Sequence, residues 1–174
     1  NETPIPYDVL KYTNLFIEYE SLNDANFKEA VNLWFEDENQ CRFRFGHIIC
    51  WKTSNVADMS NSFQNRLKFN EDLSGWDVSN VINMSCMFHE AFVFHGDLSQ
   101  WNVSNVTNMS QMFEETHHYN SDLSHWNVSQ VTNMSYMFHR SIQFNCNLND
   151  WNVSHVEDMR CMFNQAVSFH RSNV

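Results

Sequence analysis

A single 25-residue period constrains this chain more than any other feature. Trp51, Trp76, Trp101, Trp126 and Trp151 stand 25 residues apart with no insertion between them. Counting each Trp as position 0, Val recurs at position 5 (Val56, Val81, Val106, Val131, Val156) and Met at position 8 (Met59, Met84, Met109, Met134, Met159). Phe holds position 12 (Phe63, Phe88, Phe113, Phe138, Phe163), an aromatic ring position 18 (Phe69, Phe94, Tyr119, Phe144, Phe169), and Leu position 22 (Leu73, Leu98, Leu123, Leu148). A period of this size belongs to a stacked array in which each unit covers its neighbour. Ordering one coil's backbone costs on the order of 25–50 kcal/mol, and one buried aromatic returns only about 4–6 kcal/mol. No coil stands alone.

The periodic part begins at Trp51, and residues 1–50 read as a helical N-terminal cap, because the first coil of an array has no neighbour of its own. Pro4 and Pro6 followed by Asp8, Val9 and Leu10 read as a helix start. Ser21 or Asp24 then caps a second helix, whose Phe27, Ala30, Val31 and Trp34 form one apolar stripe. Residues 51–174 read as a solenoid of about five coils. In each coil the Trp and the residue two later alternate as in a short parallel strand. The threes and fours that follow suit one turn of α- or 3-10 helix. With three glycines in the chain, the corners fall to Ser, Asn and Asp.

Charge and composition remove several classes of function. A net charge of −11 repels phosphate backbones and anionic lipid heads, which speaks against nucleic acid as a partner. No apolar run of about 18 residues exists, so no membrane insertion is expected, and no basic-then-apolar signal pattern stands in the sequence. The five cysteines are an odd number, and Cys86 and Cys161 share a position three coils apart. Free thiols in a reducing interior are the expectation, which leans the location towards the cytoplasm.

The phrases WDVSNVINMSCMF, WNVSNVTNMSQMF and WNVSQVTNMSYMF, with FHGDLS, YNSDLS or FNCNLN after them, resemble the mycoplasma-lipoprotein type of BspA-like repeat, a relative of the leucine-rich repeat. The match covers residues 51–170, and the lead-in FKEAVNLWFEDENQCRFRFGHIICW is similar to the head segment that precedes such repeats. The resemblance implies a right-handed, leucine-rich-repeat-like solenoid with a parallel sheet, a role in protein–protein contact or adhesion, and no shared catalytic chemistry. Pro6-Tyr7-Asp8-Val9-Leu10 is also similar to the opening of an F-box, but the residues after Leu10 do not continue that pattern.

Position 7 (Asp58, Asn83, Asn108, Asn133, Asp158) reads as a side-chain ladder satisfying backbone groups. His89, Glu114 and His139 share position 13, yet no fourth ligand accompanies them and the fifth coil has Asn164 there, so no metal is expected. No residue breaks the repeat in the manner of a nucleophile with its base, so neither a catalytic site nor a cofactor is expected. Sequons such as Asn102, Asn105 and Asn152 follow from the repeat consensus itself. Binding falls to the columns where the coils disagree: position 6, with Ile82, Thr107, Thr132 and Glu157, and position 10, with Gln111 and Tyr136. Leu67, Phe92, Ile142 and Val167 share a mostly apolar column, interrupted by His117, that reads as half buried. The resulting expectation is a non-enzymatic module that presents a repeat face to a partner protein. The alternative is a self-assembling or cell-surface adhesive protein, associating end to end through its cut-short fifth coil.

Overall fold

The computed structural model describes residues 18–173. The helix start read at Pro4–Leu10 and the F-box-like stretch lie outside them. Helix α1 spans Phe27–Glu36 and buries Phe27, Ala30, Val31 and Trp34, the apolar stripe of the sequence. Asp37 ends α1, its N–H donating to the Leu33 carbonyl. It also begins α2, Glu38–Phe45, by accepting from the Gln40 N–H at 3.0 Å. α2 stops at Gly46, whose φ of 79° favours glycine and where a Cβ would meet the Tyr19 ring at 3.0 Å.

Beyond a 3-10 turn at Ile48–Cys50, the chain is a stack of coils. The N–H groups at positions 8, 10, 12 and 14 of each of the first four coils donate to the carbonyls at positions 7, 9, 11 and 13 of the next. Between the first two coils these are Met59 to Asn83, Asn61 to Ser85, Phe63 to Met87 and Asn65 to His89, at 2.8–2.9 Å, and every later junction repeats the set. The intervening amides close turns within the coil, as in Met87 to Met84, His89 to Cys86 and Ala91 to Phe88. The peptide unit joining positions 7 and 8 thus points its carbonyl at the preceding coil and its N–H at the following one. Four such columns of peptides run the length of the stack.

This geometry overturns the leucine-rich-repeat-like architecture with short parallel strands. Among the described residues there is no strand and no sheet, only isolated parallel bridges from Asp58 to Asn83, Asn83 to Asn108, Asn108 to Asn133 and Asn133 to Asp158. Among the described residues no helical turn lies in the first four coils: the 3-10 turns, Ile48–Cys50 and Arg171–Asn173, stand just before the first coil and at positions 20–22 of the fifth. The physical reason lies in the amides just after each Trp. The position-5 N–H folds back on the position-2 carbonyl, as in Val81 to Val78 at 3.0 Å, so the Trp-x-Val alternation lies in a turn rather than a ladder.

To aim alternate amides along the stack, the backbone adopts left-handed φ of 54–60° at positions 10 and 14 of every coil: Asn61, Asn65, Cys86, Glu90, Gln111, Glu115, Tyr136, Arg140, Cys161 and Gln165. None of these is glycine. Each costs about 1–2 kcal/mol, offset by the inter-coil bonds that its conformation permits. Asx turns finish the corners, with Asp77 accepting from the Ser79 N–H, Asn83 from Ser85 and Asp97 from Ser99.

Side chains extend the same register. The rings at position 12 repeat at 5.5–5.7 Å within 15° of parallel. Each also stacks on the ring at position 18 of its own coil, 3.8–4.1 Å away. The indole Nε1 of Trp101, Trp126 and Trp151 donates to the Leu carbonyl 28 residues earlier, at 2.9–3.0 Å. Trp76 uses Ile48 in the same way, so the cap's last turn already stands in register.

The cap imitates a coil. Phe27 meets Trp51 and Trp76 edge-on, and Phe35 meets Phe63 and Phe69 edge-on, which ends both aromatic files. Asp24 Oδ1 accepts from the N–H groups of Ala57 and Asp58 at 2.8 and 3.0 Å. One coil later the equivalent amides, of Ile82 and Asn83, both donate to the Ala57 carbonyl, so the Asp24 carboxylate stands in for a missing coil.

Four substitutions at three positions test this account. Phe27→Ala removes a fully buried ring from between two indoles, and the urea midpoint is expected to fall by the equivalent of about 3–5 kcal/mol. Tyr136→Val places a β-branched residue at positive φ and costs about 1–2 kcal/mol, whereas Tyr136→Asn, which tolerates that conformation, stays closer to the parent. The Tyr119 hydroxyl is buried with no hydrogen bond of good geometry among the described residues. Burial holds that phenol well above its ordinary pKa, and Tyr119→Phe is expected to raise stability by about 1–2 kcal/mol.

Candidate interaction surface

The two columns singled out by sequence flank the bridge at position 7. At position 6, Ile82 is open to solvent and Glu157 is exposed. Thr132 donates its hydroxyl to the Thr107 carbonyl at 3.2 Å, and Thr107 donates to the Ile82 carbonyl at 3.3 Å. These threonines therefore lengthen the coil-to-coil ladder, Thr132 exposed and Thr107 half covered. At position 10, Gln111 is turned inward on its neighbours, with Nε2 donating to Glu114 Oε2 at 2.6 Å and Oε1 accepting from the Cys86 thiol at 3.6 Å. Tyr136 lies half buried, edge-on to His139 at 5.5 Å.

Polar columns beside them satisfy themselves. Glu114 is buried, its Oε1 lying 2.8 Å from His139 Nδ1 and its Oε2 3.9 Å from His89 Nε2. Arg140 bridges Glu115 at 2.6 Å and Gln165 at 3.0 Å, and that guanidinium holds the Glu115 carboxyl below the ordinary range. Among the described residues no group of His, Cys, Asp and Glu is placed to hold a metal ion. The five cysteines are free. Burial pushes the Cys41 thiol up to about 11, and it raises the Cys86 and Cys146 thiols as well, which leaves little thiolate at neutral pH.

Position 16, read as half buried, is half covered over most of its length and open at Val167. Leu67, Ile142 and Val167 are 46%, 41% and 75% exposed, and Phe92 and His117 between them are half covered and stacked on each other, 4.8 Å apart and 8° from parallel. The backbone explains the exposure. The position-17 N–H donates to the position-16 carbonyl of the preceding coil, as in His118 to Phe92, Gln143 to His117 and Ser168 to Ile142. That ladder lies on the rim between the core positions 15 and 18, and the position-16 side chains line up along it, outside the core. Val93 at position 17 adds to the ridge. The sequence signal was chemical type alone: a mostly apolar column interrupted by His117.

No helix among the described residues is long and apolar enough to cross a membrane. No curated protein and no solved structure matches the chain. A family model described as Mycoplasma protein of unknown function, DUF285, matches residues 29–127 and again residues 94–174, taking in the second cap helix and every coil. The chain belongs to the DUF285 family.

Proposed function

We propose that this protein is a non-enzymatic interaction module whose repeat face binds a partner protein, with the position-16 ridge as its contact surface. The observation that carries the reading is the open apolar file Leu67, Phe92, His117, Ile142 and Val167, set beside polar columns that are already paired among themselves. A row of exposed apolar side chains on a rigid stack is a common form of protein-binding surface. Rigidity helps, because the ridge loses little conformational freedom on binding. Ile82, Thr132 and Glu157 at position 6 are open to contact on their own column, whereas Gln111 and Tyr136 act through the turns they shape. The net charge of −11 favours a partner with a neutral or basic surface. The likeness of the repeat phrases to the mycoplasma-lipoprotein type of BspA-like repeat agrees with a contact role.

The double variant Ile142→Glu and Val167→Glu tests the reading. Both side chains are exposed, so the melting midpoint is expected to stay within about 0.5 kcal/mol of the parent, while capture of the partner from the native cell falls at least tenfold. Undiminished capture by the variant contradicts the ridge as the contact surface.

A further inference from the structure

The first coil differs from the others at one corner. At position 1 the later coils carry Asp77, Asn102, Asn127 and Asn152, and each Oδ1 accepts from the position-3 serine N–H at 3.0–3.2 Å. Lys52 holds that position in the first coil, and an ammonium group donates but cannot accept. The Ser54 N–H is accordingly left without a partner among the described residues. Position 24 differs too, with Gly75 where the next coils have Gln100, His125 and Asp150. At this corner lies a cavity of about 330 Å³, lined by Ile49, Trp51, Lys52, Ser54, Gly75 and Asp77. Sites for small molecules run from roughly 300 to 1,000 Å³, so this one suits a ligand at the small end.

The lining is held in place. Trp51 is buried and its Nε1 donates to the Gly46 carbonyl at 3.1 Å, while the Thr53 hydroxyl ties the first coil to the second by donating to the Asp77 carbonyl at 2.8 Å. Two opposite charges face the space. Lys52 and Asp77 hold the same position in consecutive coils, yet no ion pair joins them, and Lys52 has no partner among the described residues. Asp77 Oδ1 accepts from the amide and the hydroxyl of Ser79, which hold the carboxyl below its ordinary range. Its Oδ2 is unpartnered among the described residues.

We propose that this cavity binds a free α-amino acid with an apolar side chain. The ligand carboxylate takes the place that an Asp or Asn oxygen fills in every later coil, accepting from the Ser54 N–H and facing Lys52 Nζ. Its ammonium group meets Asp77 Oδ2, and its side chain lies against Ile49, which is 44% exposed. A zwitterion suits this chain better than a plain anion, because a net charge of −11 repels an anion and acts little on a ligand of no net charge. A peptide's C-terminus offers the carboxylate without the ammonium beside it. The site uses none of the position-16 ridge residues and stands apart from the partner-binding reading.

Titration of L-leucine into the intact protein, followed at the Ser54 amide by two-dimensional NMR, tests the proposal. The expected result is a saturable downfield shift of that amide proton. Binding of 4-methylpentanoate, which lacks the ammonium, and of leucinamide, which lacks the carboxylate, is expected to be at least tenfold weaker. Lys52→Asn supplies the missing acceptor from the protein itself, as Asn102 does, and is expected to weaken leucine binding at least tenfold in a folded protein. Gly75→Gln fills the space with the same expected loss; a Cβ at Gly75 meets only the Ile49 carbonyl oxygen, at 3.9 Å, so the fold accommodates it. Asp77→Asn keeps its turn and is expected to remove the preference for leucine over 4-methylpentanoate. Absence of a saturable shift overturns the proposal, as does undiminished binding by Lys52→Asn and Gly75→Gln. Equal binding of 4-methylpentanoate and leucine by the parent protein overturns it as well and makes the cavity a plain carboxylate site.

Discussion

Everything in this molecule depends on a peptide unit turned on end. Where positions 7 and 8 meet, the carbonyl points to the preceding coil and the N–H to the following one, and the same holds at three more places in each coil. The resulting columns of hydrogen-bonded peptides run along the stack as they run along the axis of a helix, with their dipoles aligned. The side chains follow from that register. Rings at position 12 fall in file because their backbone amides do, and each indole reaches the Leu carbonyl behind it.

Polarity is a consequence. The two ends of the stack differ: towards the cap the four columns present carbonyls, while positions 6 and 7 present amides. Asp24, with a carboxylate in place of a carbonyl, meets the first coil's position-6 and position-7 amides, and α1 lays Phe27 and Phe35 across its aromatic files. Nothing comparable lies over Met159 and Phe163 among the described residues.

The period, the columns and the helical stripe over Phe27–Trp34 were legible in the sequence because burial repeats wherever backbone position repeats. The conformation within the coil was not. Trp-x-Val alternation fits a strand and a turn equally, and only the pairing of Val81 with Val78 separates them. Left-handed residues normally announce themselves as Gly or Asn, yet eight of the ten here are Gln, Glu, Cys, Tyr or Arg, held in place by inter-coil bonds rather than by their own preference. Thr53 and Ser62 stand where later coils have Val and Met, and their hydroxyls donate to the Asp77 and Met59 carbonyls. Ile142 is half covered as its column reads, and Val167 is more open, because apolar chemistry by itself does not say how far a rim position is covered.

Amide hydrogen exchange followed residue by residue tests the on-end peptide most directly. The account predicts strong protection of the amides at positions 8, 10, 12 and 14 in the middle coils, among them Met109, Gln111, Phe113 and Glu115, and rapid exchange of Met159, Cys161, Phe163 and Gln165 one rim further on. Protection centred instead on the residues between Trp101 and Val106, with Gln111 and Glu115 exchanging freely, would contradict it.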